Sequence, residues 1–296
     1  MVHDHDHSHD STKAGIRTAF FLNVIFALAE IVGGLWTNSV AILSDAVHDL
    51  GDSLSLAFAW YMERKSGRPR DDQYSYGYRR FSVLGALINS LVLIAGAVFV
   101  LSEAIPRLTS PEATYAPGMI VFGVAGIVIN GIAVLRLRGR SSLNAAVVMW
   151  HLLEDVLGAA SILIVAILLF FTDWYILDPI LSILITGLIV YNVFRNLRST
   201  LRVFLQAVPE NLDIGEVEDE LLKLDGVKGI HHTHIWTLDG QHHVLTTHAV
   251  VDDAADLDAI TSLKARVRAK AGELGLWHTT VEVERESEEC QVRDCD

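Results

Sequence analysis

Six long apolar stretches constrain the fold of this chain more than any other feature of its 296 residues. The hydrocarbon core of a bilayer is about 30 Å thick, and a helix of about 20 mostly apolar residues spans it. All six stretches have nearly that length, and all lie in the first two thirds of the sequence. The sequence therefore predicts a six-helix membrane bundle with segments near 18–36, 40–62, 83–101, 118–135, 145–171 and 175–194.

Basic residues in the connecting loops predict how this bundle is oriented. The loop after the second stretch is rich in Arg and Lys, as are the loop after the fourth stretch and the segment after the sixth. The first and fifth loops contain neither residue, and the third contains only Arg107. Because basic loops stay on the cytosolic side, both termini are expected in the cytosol of an integral membrane protein surrounded by lipid.

Composition and missing motifs exclude several functional classes. The formal net charge of −13 argues against a nucleic-acid partner, which would favour a basic surface. The two cysteines, Cys290 and Cys295, lie near the end of the chain and provide no disulfide framework, which indicates a reducing compartment. Neither a GxxxxGK[ST] nucleotide loop nor an HExxH protease motif occurs, so the chain is not expected to be an enzyme.

The pattern changes after Pro209, where amphipathic helices and alternating strands replace the apolar stretches. The order α-β-β-α-β predicts a small α+β cytosolic domain with a ferredoxin-like arrangement. Its elements are expected near 212–224, 227–238, 242–251, 256–274 and 279–284. The chain then divides into a His/Asp-rich tail, a membrane domain, a metal-binding α+β domain and a Cys-containing tail at 1–13, 14–207, 208–287 and 288–296.

Ionisable residues inside two apolar stretches indicate a metal site. His48 and Asp52 stand four residues apart in the second stretch, as His151 and Asp155 do in the fifth. Residues at i and i+4 share one helix face, so each helix presents one imidazole beside one carboxylate. Such groups are costly in a membrane and are usually functional.

Two opposed faces of this kind supply two nitrogen and two oxygen ligands, which suits tetrahedral Zn²⁺. Cd²⁺ and Co²⁺ stay open as alternatives, because affinity order alone does not select the metal. In the other interpretation, each pair is only a hydrogen bond that stabilises the bundle. Asp45 and Asp49 lie off the His48/Asp52 face and could line a water path, whereas Glu30 could line the cavity or form an interhelical hydrogen bond. Asp178 is expected to cap the sixth helix.

These motifs resemble those of the cation diffusion facilitators, and the likeness covers almost the whole chain. The second-stretch sequence SDAVHDLGD and the fifth-stretch sequence HLLED are similar to the signatures of the zinc-transporting branch of that family. The basic loop ending YGYRR and the His-rich α+β region also match. Some relatives carry a further metal site in that loop, but tyrosines replace the histidines here, so none is expected although Asp71 is present.

The resemblance implies a homodimer in the cytoplasmic (inner) membrane that exports zinc in exchange for protons by alternating access. The transported ion would bind His48, Asp52, His151 and Asp155. Protons and metal would then compete for the same ligand atoms, because metal ligands must be deprotonated. The alternative left open is a membrane-bound metal sensor that does not transport.

Seven histidines in the α+β region predict a second metal centre, where Zn²⁺ would be a structural or regulatory ion. The resemblance assigns this site to His231, His248, His278 and Glu284, with His234 and Glu282 as substitutes. The tails contain further candidates that could join a zinc site: Cys290, Cys295, His3, His5, His7 and His9.

Overall fold

The computed structural model describes residues 7–66, 70–137 and 143–288 together with Cys290. These residues form two compact units. The membrane unit comprises 1–61 and 88–196, and the C-terminal unit comprises 62–87 and 197–296. The first six elements of the chain are α1 (His7–Thr37), α2 (Val40–Ser66), α3 (Phe81–Thr109), α4 (Ala116–Leu137), α5 (Leu143–Phe171) and α6 (Leu177–Phe204).

Five of the six predicted apolar stretches lie within one of these helices, and the sixth, predicted from residue 175, corresponds to α6, which begins at Leu177. The helices differ in apolar character. Within the described part of the chain, three helical segments are long and apolar enough to cross a membrane: Phe81–Thr109, Leu152–Phe171 and Leu177–Phe204. Asn23–Thr37 and Ala116–Ile132 form shorter apolar helices. α2 is absent from both groups because its ionisable residues lower the mean hydropathy. The number of six membrane crossings therefore stays a prediction.

α6 shows how the membrane unit distributes its polar and apolar residues. Its buried face includes Asp178, Ser182 and Thr186, whereas Leu188 and Phe194 are largely exposed. A soluble helix has the opposite arrangement, with apolar side chains inside. Small polar residues between helices and large apolar residues outside are typical of a helix packed in lipid.

Asp178 holds the beginning of α2, which differs from its predicted role as a cap of its own helix. Its carboxylate accepts hydrogen bonds from Ser39 Oγ at 2.5 Å, from Val40 N at 2.8 Å and from Ala41 N at 3.4 Å. The first N–H groups of a helix have no partner within that helix. Asp178 therefore satisfies the first turn of α2 from a helix that begins 137 residues later.

Residues 214–285 of the C-terminal unit form a three-stranded sheet and two helices. The elements follow the predicted α-β-β-α-β order: α7 (Ile214–Leu222), β1 (Gly229–Thr237), β2 (His243–Val251), α8 (Leu257–Glu273) and β3 (Leu276–Arg285). The sheet order is β1-β2-β3, with β1 antiparallel and β3 parallel to β2.

One apolar core joins the helices of this unit to one face of the sheet. Val217 and Leu221 of α7, Val267 of α8, and Leu245 and Ala249 of β2 belong to this core. Since successive residues of a strand point to opposite faces, the residues between Leu245 and Ala249 alternate with the core positions. His248 therefore points to the other face of the sheet, away from the helices.

Candidate metal sites

The first candidate site lies where α2 and α5 approach each other in the membrane unit. His48 Nε2 is 3.7 Å from Asp52 Oδ2 and 3.7 Å from Asp155 Oδ1. One ligand atom from each of the three residues lies within 4.8 Å of the others. The side chain of Asp155 is 6% exposed, whereas those of His48 and Asp52 are 28% and 25% exposed. The structure therefore brings three of the four predicted ligands together.

The fourth predicted ligand, His151, belongs to α5 and precedes Asp155 by four residues. The side chain of His151 lies outside the described part of the structure. Its participation in the site stays a prediction.

Besides Asp178, three further carboxyl groups are buried in the described part of the same unit: Glu30 on α1, with Asp45 and Asp49 on α2. Among the described residues, Glu30 Oε2 has no hydrogen-bond partner. A Cβ atom added to Gly158 of α5 would lie 3.2 Å from Asp45 Oδ1. The glycine therefore lets α5 approach the acidic face of α2 closely. Burial of Asp45 and Asp49 depends on helix packing, which the sequence pattern did not specify.

The second candidate site lies on the open face of the sheet in the C-terminal unit. His231 Nε2 is 3.2 Å from Glu284 Oε2, and His248 Nδ1 is 2.7 Å from Glu284 Oε1. Cys290 Sγ lies 3.7 Å from His248 Nδ1. Each of these four side chains offers a ligand atom within 4.8 Å of the others. The HHEC group consists of His231, His248, Glu284 and Cys290.

The ligand chemistry of the HHEC group suits a borderline divalent metal. Two imidazoles, one carboxylate and one thiol match the ligands that Zn²⁺ accepts in tetrahedral sites. Burial opposes ionisation of Glu284, but hydrogen bonds with Cys290 and His248 and the nearby His231 charge lower its pKa below the ordinary value. Glu284 is therefore ionised at neutral pH, as a metal ligand must be.

Cys290 was predicted to join a tail site with Cys295 and the N-terminal histidines, but it lies in the HHEC group instead. The chain turns after β3, where Glu288 N donates to Arg285 O, and Cys290 follows this turn with its Sγ near His248. Cys295 lies outside the described residues, as do the side chains of the N-terminal histidines.

His278 was predicted to belong to the C-terminal site, but the structure does not bring it to the HHEC group. In the sheet, His278 pairs with Val244, whereas Glu282 pairs with His248. A strand rises about 3.3 Å per residue, so four residues separate His278 from that level by about 13 Å. The His278 ring instead contacts Tyr76 edge to face, with centroids 5.6 Å apart.

The loop between α2 and α3 contacts the sheet through Arg79. The sequence did not predict this contact. Arg79 Nη1 lies 2.7 Å from His242 Nε2 and 3.9 Å from Asp239 Oδ2, and its guanidinium lies 4.9 Å from the Trp277 ring centre. In the same loop, Asp71 accepts hydrogen bonds from Tyr78 Oη and two backbone N–H groups. This carboxylate thereby stabilises the loop conformation.

Comparisons with known proteins match two family domains along the chain. The family model for the cation efflux transmembrane domain matches residues 16–205, and that for the cytoplasmic domain of cation efflux proteins matches 209–286. A solved structure titled the metal-bound C-terminal domain of the CzcD transporter from Cupriavidus metallidurans is 33% identical, covering 25% of this chain and 99% of that one, with a TM-score of 0.21.

Full-length relatives match across nearly the entire chain. The metal cation efflux system protein CzcD of Cupriavidus metallidurans is 35% identical over 95% of this chain and 89% of its own length. The cadmium, cobalt and zinc/H(+)-K(+) antiporter of Bacillus subtilis is 29% identical over 96% and 92%. The zinc transporter ZitB of Escherichia coli is 32% identical over 88% and 86%. The resemblance drawn from the paired HxxxD motifs is thereby confirmed, and the chain is an integral membrane protein of the cation efflux family.

Proposed function

We propose that this protein exports Zn²⁺ from the cytosol in exchange for protons, with Cd²⁺ and Co²⁺ as further substrates. The convergence of His48, Asp52 and Asp155 between α2 and α5 carries the proposal. Three ligand atoms from two helices of the membrane unit can replace water molecules in the hydration shell of an ion. The relatives named as zinc, cadmium and cobalt transporters or antiporters support the same choice of substrates and of coupling.

Ligand chemistry explains how such a site exchanges metal for protons. With His151 as the fourth ligand, the site has two imidazoles and two carboxylates, a set that Zn²⁺ accepts and that Mg²⁺ and Ca²⁺ disfavour. An imidazole binds either a metal or a proton at the same nitrogen, and it titrates near neutral pH. Protonation on the far side of the membrane would therefore release the ion and reset the site.

Alternating access would connect these two states. The proposal places six helices across the cytoplasmic membrane, with both termini in the cytosol and two copies forming a homodimer. Gly158 supports movement between α2 and α5, because a small residue there lets the helices approach and slide without a side chain between them.

The HHEC group would hold a resident Zn²⁺ that regulates transport. Because the chain is acidic overall, bound cations would reduce repulsion between the C-terminal domains of two copies. We infer that metal at this group favours the docked domains and thereby biases the transport cycle.

Metal flux into proteoliposomes tests the proposed transport. Wild type is compared with His48→Ala and Asp155→Ala under an imposed pH gradient, with Zn²⁺ and Mg²⁺ as substrates. The matched control is Ser161→Ala on α5, since among the described residues the Ser161 hydroxyl donates to the Leu157 carbonyl of its own helix. Gradient-dependent Zn²⁺ flux that is lost in both site variants and kept in the control is the expected result.

Two other results would contradict the proposal in different ways. Equal flux in wild type and in the two site variants would make the HxxxD pairs structural. No flux in wild type, with Zn²⁺ still bound to the C-terminal domain, would favour a membrane-bound sensor instead.

A further inference from the structure

The open face of the sheet contains two more histidines beside the HHEC group. Successive strand residues normally point to opposite faces, so a regular β1 would separate His232 from His231. The register between β1 and β2 shifts between His231 and His234, which marks a β-bulge. His232 has a φ of +51° within this bulge. Both the His231 and the His232 rings consequently lie against His248, with centroids 5.3 and 4.9 Å away.

A positive φ at His232 points to a functional constraint. This left-handed backbone conformation is uncommon for residues other than glycine, although histidine adopts it more often than most. Strained conformations persist where the surrounding structure enforces them, and they cluster at functional sites. Bulges likewise re-aim side chains next to such sites. Here the bulge increases the number of imidazoles on one face of β1.

The distance between the two imidazole nitrogens matches that of a shared metal. His232 Nε2 lies 3.4 Å from His234 Nε2, a contact that is a hydrogen bond when one of the two nitrogens carries a proton, and the rings are nearly perpendicular at 87°. Two nitrogens bound to one tetrahedral Zn²⁺ at about 2.0–2.1 Å are separated by about 3.3 Å. The two nitrogens already have the separation that chelation requires.

We propose that His232 and His234 form a second divalent-metal site in the C-terminal domain, for an ion such as Zn²⁺ or Co²⁺ that imidazole favours. This site is distinct from the HHEC group, because His248 directs Nδ1 towards Glu284 and Cys290. His234 is exposed on an edge strand, so water fills the remaining coordination positions. The inference goes beyond the proposed transport and holds whether or not the protein moves metal.

Cobalt binding to the full-length protein in detergent micelles tests the site. The number of bound ions is measured by elemental analysis after dialysis against Co²⁺. Visible and near-ultraviolet spectra then report thiolate ligation, which only a site containing cysteine produces. The test variants are His234→Gln and His232→Asn, since asparagine tolerates a positive φ without supplying an imidazole. The matched control is His242→Gln, whose imidazole already contacts Asp239 and Arg79.

We expect each test variant to lose one Co²⁺ per chain while the thiolate-to-cobalt band keeps its intensity, and the control to lose none. An unchanged number of ions in both test variants would overturn the proposal. Loss of the thiolate band together with the ion would also overturn it, because the two histidines would then belong to the HHEC group.

Discussion

Removing the Asp178 carboxylate should destabilise the membrane unit through the first turn of α2. Asp178→Ala deletes the acceptor for Ser39 Oγ and Val40 N, the two short hydrogen bonds at 2.5 and 2.8 Å, and for the longer contact from Ala41 N. The side chain is fully buried, so water cannot replace these bonds without entering the bundle.

The size of this effect follows from the two short bonds. A hydrogen bond to a carboxylate contributes roughly 1.5–3 kcal/mol, and an unsatisfied buried donor costs a similar amount. The expected loss in the free energy of unfolding is therefore about 3–6 kcal/mol for Asp178→Ala. Asp178→Asn keeps one carbonyl acceptor, so about half of that loss is expected.

Reversible unfolding in mixed detergent–SDS micelles, followed by tryptophan fluorescence, measures this free energy. The control is Ser182→Ala, one helical turn further along α6. Ser182 is also fully buried, but its Oγ has no hydrogen-bond partner among the described residues, so its removal should cost little. If Asp178→Ala is no more destabilising than Ser182→Ala, the carboxylate does not anchor α2.

Four further predictions concern the C-terminal domain. Leu221→Ala should lower the free energy of unfolding by about 2–5 kcal/mol in denaturant titration, because Leu221 is fully buried. Glu220→Gln should change it little, because Glu220 is only partly buried, although hydrogen bonds from Lys223 and Lys270 help to lower its pKa to about 2. Burial raises the pKa of Asp239, but the hydrogen bonds from Gln241 N, His242 N and the His242 ring together outweigh burial and lower this pKa below the ordinary value. This group stabilises the fold above its unfolded pKa and ceases to do so as pH falls, so Asp239→Asn should flatten the loss of thermal stability below about pH 4. Chelation of Zn²⁺ should lower the free energy of unfolding of wild type by about 2.7 kcal/mol, compared with protein at a free zinc concentration of about one hundred times Kd. The loss should be smaller for Cys290→Ser, and calorimetry at fixed total zinc measures both.

Features that depend on local spacing could be predicted from the sequence. His48 and Asp52 are one helical turn apart, so helix geometry alone brings their side chains together, and the structure places them 3.7 Å apart. Strand alternation likewise predicted β2 at 242–251, and the observed strand is His243–Val251. Both patterns involve residues only a few positions apart, where the backbone repeat determines which side chains share a face.

Contacts between distant segments could not be predicted in this way. The partner of Asp178 is the first turn of α2 rather than its own helix, because helix packing decides which unsatisfied N–H groups lie nearby. The position of His278 depends on the register of β3 against β2. In this register Glu282 pairs with His248, so His278 lies four residues away from the HHEC group. Cys290 reaches the HHEC group through a turn after β3 that no periodic pattern specifies.

The bulge in β1 shows why the density of histidines alone did not define the C-terminal sites. In a regular strand, the sequence His231-His232-Thr233-His234 would divide its imidazoles between the open face and the helix-covered face. An imidazole on the covered face would have to be buried in an apolar core, which is costly without a hydrogen-bond partner. The bulge avoids that cost by turning His232 to the open face, while Thr233 reaches Thr247 at 2.8 Å. The same backbone irregularity that keeps imidazoles out of the core therefore concentrates them where metal can bind.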